Sequence, residues 1–256
     1  MSAELFSLDG RLALVTGSTR GIGNALARGL ARAGADVVLH GRDAGLLAAE
    51  QAAVADETGR VVHTLAFDVT DRVAAAEALE GFMAEVGVPD ILVNNAGVQH
   101  RAPINDFPGD DWDRVVATNL SSAFYVSQPV TRRMAERGSG KVVNIGSVQS
   151  MLARATIAPY SATKGGLVML TKGMAADLAQ DNIQVNAISP GYFASEMNRA
   201  LWEDPEFDGW VRARTPAGRW GDVEELVGAL VFLASAASQF VSGQNIFVDG
   251  GMTSVV

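Results

Sequence analysis

Cysteine is absent from this 256-residue chain, and lysine and histidine occur only 3 times each. The lack of cysteine excludes disulfides and thiolate-ligated metal sites. His40, His63 and His100 fall on separate segments without metal-ligand spacing, so we expect no metal site. The sequence also lacks an uninterrupted apolar run of the roughly 18 residues that a membrane helix needs, and no targeting segment is visible. We therefore expect a soluble cytoplasmic protein.

Positive charge is also in short supply. The chain has 20 Lys+Arg against 29 Asp+Glu, and its net charge of -9 disfavours nucleic acid or an anionic membrane as a partner. Of the 20 basic residues, 17 are arginine, whose planar guanidinium binds phosphates and carboxylates through two parallel hydrogen bonds. We therefore expect small anionic ligands to be bound by individual arginines rather than by the overall field of the protein.

Short β-branched runs alternate with Ala/Leu-rich helical stretches through nearly the whole chain. This alternation predicts an α/β fold over residues 1–256, a single-domain, doubly wound (Rossmann-type) parallel sheet of seven strands with helices on both faces. The predicted strands, buried on both faces, are Leu12–Thr16, Asp36–His40, Val61–Leu65, Ile91–Asn94, Lys141–Ile145, Ile183–Ile188 and Ile246–Val248. The predicted helices are Gly21–Ala33, Asp43–Glu57, Asp71–Val86, Asp111–Arg137, Pro159–Leu178 and Asp222–Leu233.

One stretch, at about 190–216, breaks this alternation. It contains several aromatic residues among charged ones and has no predicted strand. An insertion after the carboxyl end of a strand lies on the ligand-binding side of such a sheet, so we interpret the segment as a substrate lid. The structural alternative is a helical excursion whose aromatic side chains only pack on the body of the domain.

A glycine-rich turn joins the first strand to the first long helix. Its residues are Gly17, Ser18, Thr19, Arg20, Gly21, Ile22 and Gly23. The G-x-x-x-G-x-G spacing, at the first strand of an alternating chain, indicates a dinucleotide whose pyrophosphate lies at the helix N-terminus. A turn that needs glycine only for steric reasons is the structural alternative.

The residues after the second strand bear on the choice of cofactor. Many NAD sites have an acidic residue there, whereas NADP sites use arginine. Here Gly41 and Arg42 follow the strand, and Arg20 in the glycine turn adds a second cation. The sequence therefore favours NADP(H), with NAD(H) as the alternative. Asp43 is expected to cap the next helix rather than to contact the ribose.

Two further strand ends complete the predicted cofactor site. Asp68 and Val69 follow the third strand and suit adenine recognition, although Asp68 is equally a candidate for a loop cap. Asn95, Ala96 and Gly97 follow the fourth strand, where small residues let a cofactor lie against the backbone. An asparagine in this motif is also expected to tie neighbouring strands together.

Candidate reacting residues follow the fifth strand. Ser147 lies just past the strand, and Tyr160 and Lys164 lie four residues apart near the start of the next helix, on one face. A phenol with a pKa near 10 is a poor base at neutral pH, but an adjacent ammonium favours the phenolate. The spacing therefore predicts an acid–base pair.

These features together resemble the short-chain dehydrogenase/reductase family over essentially the whole chain. The motifs that carry the resemblance, in this order, are the glycine turn, Asn94–Gly97, Asn119, Ser147, Tyr160-x-x-x-Lys164 and Pro190-Gly191. The resemblance implies an NAD(P)-dependent oxidoreductase that assembles as a homotetramer.

The resemblance also implies a role for each reacting residue. Tyr160 would exchange the proton of the reacting hydroxyl, and Ser147 would hydrogen-bond the substrate oxygen. Lys164 would bind the nicotinamide ribose and lower the Tyr160 pKa, while Asn119 would hold a water molecule in the proton relay. The further cofactor contacts that it implies are Pro190, Gly191 and Ser195, the last with a hydroxyl where related chains often have threonine.

Within the family, the chain is most similar to members that act on sugar acids, with D-gluconate and 5-keto-D-gluconate as the expected pair. Residues that carry this finer match include Ser147–Ser150, Ile157–Tyr160 and Arg214–Gly221. A sugar acid needs a clamp for its carboxylate, which a bidentate arginine supplies. Arg101 and Arg154 are the candidates, although each is equally a candidate for a solvated surface residue. Gln149, as a contact for a sugar hydroxyl or a loop-stabilising amide, and Tyr192 complete the candidate substrate residues.

Two alternative functions stay open from the sequence. The first is reduction of another carbonyl, such as a 3-oxoacyl thioester or a different polyol or keto sugar. The second is a non-catalytic dinucleotide sensor, because a fold alone does not determine function. A sensor, however, would have no need for the set of Asn119, Ser147, Tyr160 and Lys164.

Overall fold

The computed structural model describes residues 2–195 and 198–255, and its centre is a parallel sheet of seven strands. The strands, with a short separate pair, are β1 (Leu12–Val15), β2 (Asp36–Gly41), β3 (Val62–Ala66), β4 (Ile91–Asn94), β5 (Gly140–Ile145), β6 (Ile183–Pro190), β7 (Phe193–Ala194), β8 (Gly221–Asp222) and β9 (Asn245–Val248). The sheet order is β3-β2-β1-β4-β5-β6-β9. Because the order reverses between β1 and β4, their carboxyl ends open the crevice where doubly wound sheets bind ligands. The predicted fold class is confirmed.

Helices cover both faces of the sheet. They are α1 (Ser2–Phe6), α2 (Gly21–Arg32), α3 (Ala44–Thr58), α4 (Arg72–Glu85), α5 (Gly109–Val116), α6 (Ser122–Arg137), α7 (Ala158–Leu178), α8 (Arg199–Trp202), α9 (Pro205–Arg214) and α10 (Val227–Ala234). Side chains of α2, α3 and α10 form one buried core, and those of α4, α6 and α7 form the other. Strand residues alternate between the two cores: Ala13 and Val15 face the first, and Leu14 faces the second. This double burial explains the continuous apolar runs of the central strands.

The structure corrects three details of the predicted fold. All four residues of β9 and most of β3 are only partly buried, because these strands form the two edges of the sheet. The predicted lid does contain a strand, since β7 pairs with β8 through two residues. The predicted helix Asp111–Arg137 is interrupted by a π-helical turn at Ala117–Ser121. Glu196 and Met197 of the lid lie outside the described residues.

Two expected absences concern the same described ranges, 2–195 and 198–255. No helix there is both long and apolar enough to cross a membrane. In those ranges there is also no group of three His, Cys, Asp or Glu side chains arranged to hold a metal ion.

Candidate active site

The glycine turn between β1 and α2 fits the pyrophosphate of a dinucleotide. Gly17 and Gly21 have φ values of 62° and 58°, which glycine adopts without strain. A Cβ on Gly23 would lie 2.3 Å from the Gly17 carbonyl oxygen, so only glycine lets the helix start so close to the turn. Within the described residues, the first turn of α2 carries no acidic side chain, and the Arg20 side chain does not cap it. The free backbone N–H groups of this first turn therefore form a candidate binding site for an anion.

The end of β4 is fixed against this turn by side-chain hydrogen bonds. The Asn95 amide donates to the carbonyl oxygens of Thr16 and Gly17 at 2.9 and 3.0 Å. The Thr16 hydroxyl accepts from the backbone N–H groups of Asn95 and Ala96 at 2.9 and 3.1 Å. Asn94 donates to the Asn144 amide oxygen at 2.8 Å, which confirms that an asparagine ties the neighbouring strands β4 and β5 together. The structure thus brings Asn95–Gly97 beside the glycine turn.

His40, at the end of β2, supports the turn from the other side. Its Nδ1 accepts from the Gly17 N–H at 3.1 Å, and its backbone N–H donates to the Ser18 hydroxyl at 2.9 Å. Its Nε2 lies 3.2 Å from the Phe67 carbonyl oxygen, so this nitrogen carries the proton. Burial lowers the pKa of His40 to about 4. Sequence reasoning considered His40 only as a metal ligand, although its place beside Gly41 was a signal for this role.

Acid unfolding should report the buried His40. Its folded-state pKa of about 4 lies below the ordinary value of 6.5, so between these values only the unfolded state takes up the proton. Stability therefore falls as the pH drops through this window, and we expect this group to account for about 2 kcal/mol between pH 7 and pH 5. Urea unfolding at both pH values measures the loss, which should be smaller by this amount in His40→Asn. His63→Asn is the matched control, and an unchanged pH dependence in His40→Asn would contradict the assignment.

Arg42 and Asp68 lie after β2 and β3, where the 2′-phosphate and the adenine of the cofactor are expected. The Arg42 side chain is 77% exposed and lies 3.6 Å from the Asp68 carboxylate. Asp68 also accepts from the N–H and hydroxyl of Thr70 at 2.9 and 2.7 Å, and these bonds hold its pKa below the ordinary value. Through these bonds Asp68 caps its own loop, and its second expected role, adenine recognition, stays a prediction. Asp43 accepts from the Leu46 N–H at 3.0 Å and caps α3, as predicted.

The structure brings Ser147, Tyr160 and Lys164 together past the carboxyl end of β5. The Ser147 hydroxyl accepts from the Gln149 N–H at 3.1 Å and is hydrogen-bonded to the Tyr160 phenol. The Lys164 ammonium donates to the Ile145 carbonyl oxygen at 2.7 Å and lies 5.7 Å from the centre of the Tyr160 ring. The hydroxyl, the phenol and the ammonium therefore share one site, the arrangement expected for proton transfer.

Burial dominates the electrostatics of this group. It raises the pKa of Tyr160 above its ordinary value, against the opposing effect of the Ser147 hydrogen bond, and Tyr192 raises it further. Burial also lowers the pKa of Lys164 to about 8. The expectation that Lys164 lowers the Tyr160 pKa stays a prediction. In the chain alone, burial outweighs the effects that lower this pKa, and the Lys164 ammonium donates to the Ile145 carbonyl oxygen.

Asn119 lies in the π-helical turn that the sequence did not predict. Its amide donates to the Val98 carbonyl oxygen at 2.9 Å and accepts from the Val98 N–H at 2.8 Å. It also lies 3.4 Å from the hydroxyl of Thr163, the residue before Lys164. Asn119 thereby joins the segment after β4 to α7. Single π-helical turns occur frequently at functional sites.

The candidate substrate residues Arg101, Arg154 and Tyr192 lie near one another. Burial and the charge of Arg154 lower the pKa of Arg101, while Tyr192 raises it. The Arg154 guanidinium lies 4.9 Å from the centre of the Phe207 ring in the lid. Within the described ranges, neither arginine forms an ion pair with a carboxylate. Two cations without a carboxylate partner in the described ranges are therefore close enough to repel each other.

Aromatic side chains hold together the segment that is predicted to be a lid. Tyr192 contacts Phe207, Trp210 and Trp220, with ring centres 5.7, 5.8 and 5.6 Å apart. The Trp220 indole N–H also donates to the Asp208 carboxylate at 2.8 Å. The aromatic residues of the segment thus pack on one another as well as on the body of the domain.

The remaining predicted cofactor contacts lie after β6. The Gly191 N–H donates to the Val248 carbonyl oxygen at 2.9 Å, and a Cβ there would lie 2.8 Å from the Asp249 Cα. The Ser195 carbonyl accepts from the Trp202 indole N–H at 3.4 Å. Pro190, Gly191 and Ser195 therefore form the start of the lid.

Comparison with known proteins identifies the family. A family model described as enoyl-(acyl carrier protein) reductase matches residues 17–253. Gluconate 5-dehydrogenase of Gluconobacter oxydans is 54% identical over 250 residues, which cover 98% of this chain and 97% of that protein. The chain belongs to the short-chain dehydrogenase/reductase family. As a member of this family it is an oxidoreductase, which removes the sensor alternative.

Two other short-chain dehydrogenases/reductases are closely similar. The 5-keto-D-gluconate 5-reductase of Escherichia coli is 49% identical over 253 residues, covering 97% of this chain and 98% of that protein. A crystal structure of a gluconate 5-dehydrogenase from Burkholderia cenocepacia, in complex with NADP and tartrate, matches with a TM-score of 0.98 and 54% identity. The match covers 100% of both chains.

Proposed function

We propose that the enzyme transfers a hydride between NADP(H) and a sugar acid, and that D-gluconate and 5-keto-D-gluconate are its substrate pair. The observation that carries this proposal is the unpaired arginine pair close to the reacting phenol. Arg154 lowers the pKa of Arg101, and Tyr192 interacts with both Arg101 and Tyr160. A carboxylate bound between the arginines would relieve their repulsion and form charge-assisted hydrogen bonds.

The similar proteins support the same substrate class. The Gluconobacter and Escherichia relatives are named for gluconate and 5-keto-D-gluconate. The Burkholderia relative was crystallised with tartrate, which is a small hydroxylated carboxylate. A 3-oxoacyl thioester, by contrast, carries no free carboxylate for the arginine pair.

The residues of the cofactor site fit NADP(H), which supplies or accepts the hydride when bound. The glycine turn and the N-terminus of α2 would hold the pyrophosphate, while Arg42, with Arg20, would contact the 2′-phosphate. The Burkholderia relative binds the same cofactor. The residues proposed to contact it are Gly17, Ser18, Thr19, Arg20, Gly21, Ile22, Gly23, Gly41, Arg42, Asp68, Val69, Asn95, Ala96, Gly97, Tyr160, Lys164, Pro190, Gly191 and Ser195.

Tyr160 is the proposed proton donor and acceptor at the substrate oxygen. Its raised pKa keeps the phenol protonated at neutral pH, which is the state that donates a proton during reduction. The Gln149 N–H donates to the Ser147 hydroxyl and fixes it beside Tyr160, and in the complex this hydroxyl would donate its proton to the substrate oxygen. Lys164 would bind the nicotinamide ribose, and Asn119 would hold a water molecule that relays the proton to solvent.

The test is NADPH oxidation followed at 340 nm with 5-keto-D-gluconate as substrate. Parallel reactions use NADH in place of NADPH, and a 3-oxoacyl thioester in place of the sugar acid. We expect turnover with the sugar acid to exceed turnover with the thioester, and NADPH to be preferred. A native protein that reduces the thioester but not 5-keto-D-gluconate would overturn the proposal.

Arg42 provides a test of the cofactor preference. Loss of a charged contact to the 2′-phosphate should raise the KM for NADPH by about 10- to 100-fold in Arg42→Ala. The KM for NADH should stay within about 3-fold, because NADH lacks that phosphate. Steady-state kinetics with both cofactors measure the two KM values. The control is Arg72→Ala, at an exposed arginine on α4. Equal losses with both cofactors would argue against the 2′-phosphate contact.

The expected homotetramer and cytoplasmic location are part of the same proposal. Large apolar side chains stay exposed on three neighbouring helices, Trp112 on α5, Phe124 on α6 and Met169 on α7. Burial of these side chains between copies of the chain would stabilise an oligomer. Sedimentation equilibrium tests the tetramer. A cytoplasmic location agrees with the use of NADP(H), which is an intracellular cofactor.

A further inference from the structure

Gln149 has a buried side-chain amide without a partner. The residue lies in the 3₁₀ turn Val148–Ser150 and is only 8% exposed. Within the described part of the chain, its Oε1 is fully buried and has no hydrogen bond, whereas its Nε2 makes no hydrogen bond and is not fully buried. Since buried polar groups are nearly always hydrogen-bonded, such an amide needs an explanation.

Two of the other three buried unpartnered atoms in the described residues are of a different kind. Asn94 leaves its amide oxygen unpaired but uses its amide nitrogen to bond Ser127 and Asn144. Arg60 leaves Nε unpaired but forms an ion pair with Asp36 at 3.1 Å. Both side chains have a structural role through their other atoms, whereas the Gln149 amide has none. The third atom, the Ser161 hydroxyl oxygen on α7, is buried and unpaired like the Gln149 oxygen.

The position of Gln149 links it to the reacting group. Its backbone N–H donates to the Ser147 hydroxyl at 3.1 Å, and its turn packs against α7, which carries Tyr160 and Lys164. The backbone of Gln149 is therefore fixed beside Ser147, the residue assigned to the reacting oxygen. A substrate group next to the reacting carbon would come within the reach of the Gln149 side chain.

We propose that the Gln149 amide is a hydroxyl subsite, which binds the hydroxyl on C4 of 5-keto-D-gluconate, the secondary carbon next to the reacting C5. The assignment rests on the proposed function and narrows its substrate class to polyhydroxy acids with a hydroxyl at that carbon. A hydroxyl both donates and accepts, so it satisfies the amide in either orientation. A 3-oxoacyl thioester has only hydrogen on the carbons that flank its ketone and would leave the amide unpaired.

The test is a thermodynamic cycle in which the Gln149 amide and the C4 hydroxyl of the substrate are removed separately and together. Native enzyme and Gln149→Leu are compared on 5-keto-D-gluconate and on its 4-deoxy analogue. In the native enzyme, the deoxy analogue should have a kcat/KM about 10- to 100-fold lower, because its binding leaves the amide unpaired. Gln149→Leu should lose a similar factor on 5-keto-D-gluconate but less than about 3-fold on the analogue. Gln149→Met, an unbranched side chain of the same length, is the second variant.

Thermal stability separates a binding role from a structural one. Because the Gln149 amide has no partner in the chain, its apolar variants should keep or increase the native Tm. Gln184→Leu is the matched control: Gln184 is 9% exposed, and its amide donates to the Asn182 side chain at 3.3 Å. That variant should lower the Tm and leave kcat/KM unchanged.

The outcomes distinguish this inference from the function on which it rests. Equal losses on both substrates, with native activity on 5-keto-D-gluconate intact, would overturn the Gln149 subsite and leave the proposed function standing. A marked fall in Tm in both Gln149 variants would show a structural role and would also overturn it. If the native enzyme reduces neither sugar acid, the proposed function fails, and the subsite fails with it.

Discussion

Replacement of Tyr160 by phenylalanine is expected to lower kcat for 5-keto-D-gluconate reduction by about 1,000-fold, since general acid catalysis contributes about 100- to 10,000-fold. The substitution removes only the hydroxyl that is hydrogen-bonded to Ser147 and keeps the ring that packs beside Lys164. The dissociation constant for NADPH should therefore stay within about 3-fold. Single-turnover kinetics and a fluorescence titration with NADPH measure the two effects.

The control for this variant is Tyr125→Phe. Tyr125 lies on α6, where its ring contacts Phe124, and the chain has only one further tyrosine, Tyr192. Its substitution should leave kcat unchanged. The raised pKa of Tyr160 also predicts that oxidation, which needs the phenolate, becomes faster toward alkaline pH, while reduction is fastest near neutrality. If Tyr160→Phe retains more than about a tenth of native kcat, another group must donate the proton.

Removal of both arginines of the candidate carboxylate clamp should have the second large effect. We expect the double variant, in which both Arg101 and Arg154 are replaced by methionine, to have a kcat/KM for the sugar acid about 100- to 1,000-fold lower, because a charged, bidentate contact is lost. The loss should appear mainly in KM, and NADPH binding should be unaffected. Each single variant should lose less than the double variant, and Arg101→Lys should restore only part of the loss, since lysine lacks the planar fork.

The Tm of the arginine variants provides an independent test of whether Arg101 and Arg154 have a structural role. The charge of Arg154 lowers the pKa of Arg101, so the two cations repel each other, and Arg101→Met should not lower the Tm. Arg114→Met, which breaks an exposed ion pair with Asp111 on α5, is the control with unchanged kcat/KM. If the double variant loses stability and keeps its KM, the arginines are structural and the substrate carboxylate binds elsewhere.

The fold could be predicted from the sequence because central strands of a parallel sheet are buried on both faces. That burial produces short continuous apolar runs, and each predicted strand agrees with the structure to within two residues. The same alternation could not reveal the edges of the sheet, because strand order is determined by crossovers between distant segments. The partial exposure of β3 and β9 follows from that order.

The candidate site was predictable where a motif is local in sequence. The glycine turn and the Tyr160-x-x-x-Lys164 pair belong to single turns or helix faces, and both occur in the structure as expected. The role of His40 could not be predicted in this way, because it depends on contacts with the distant residues Gly17 and Phe67. The unpaired amide of Gln149 also depends on long-range packing, since its environment includes α7.

The aromatic cluster of the lid gives the enzyme a built-in optical reporter. The chain has 4 tryptophans, and Trp202, Trp210 and Trp220 lie in the lid or directly beside it. Trp220 donates its indole N–H to Asp208, and Trp210 stacks on Phe207 with ring centres 5.6 Å apart. If the segment closes over the substrate as the lid interpretation predicts, α9 is displaced and these contacts change, so we expect the intrinsic emission of the unlabelled protein to report closure against the background of Trp112 on α5.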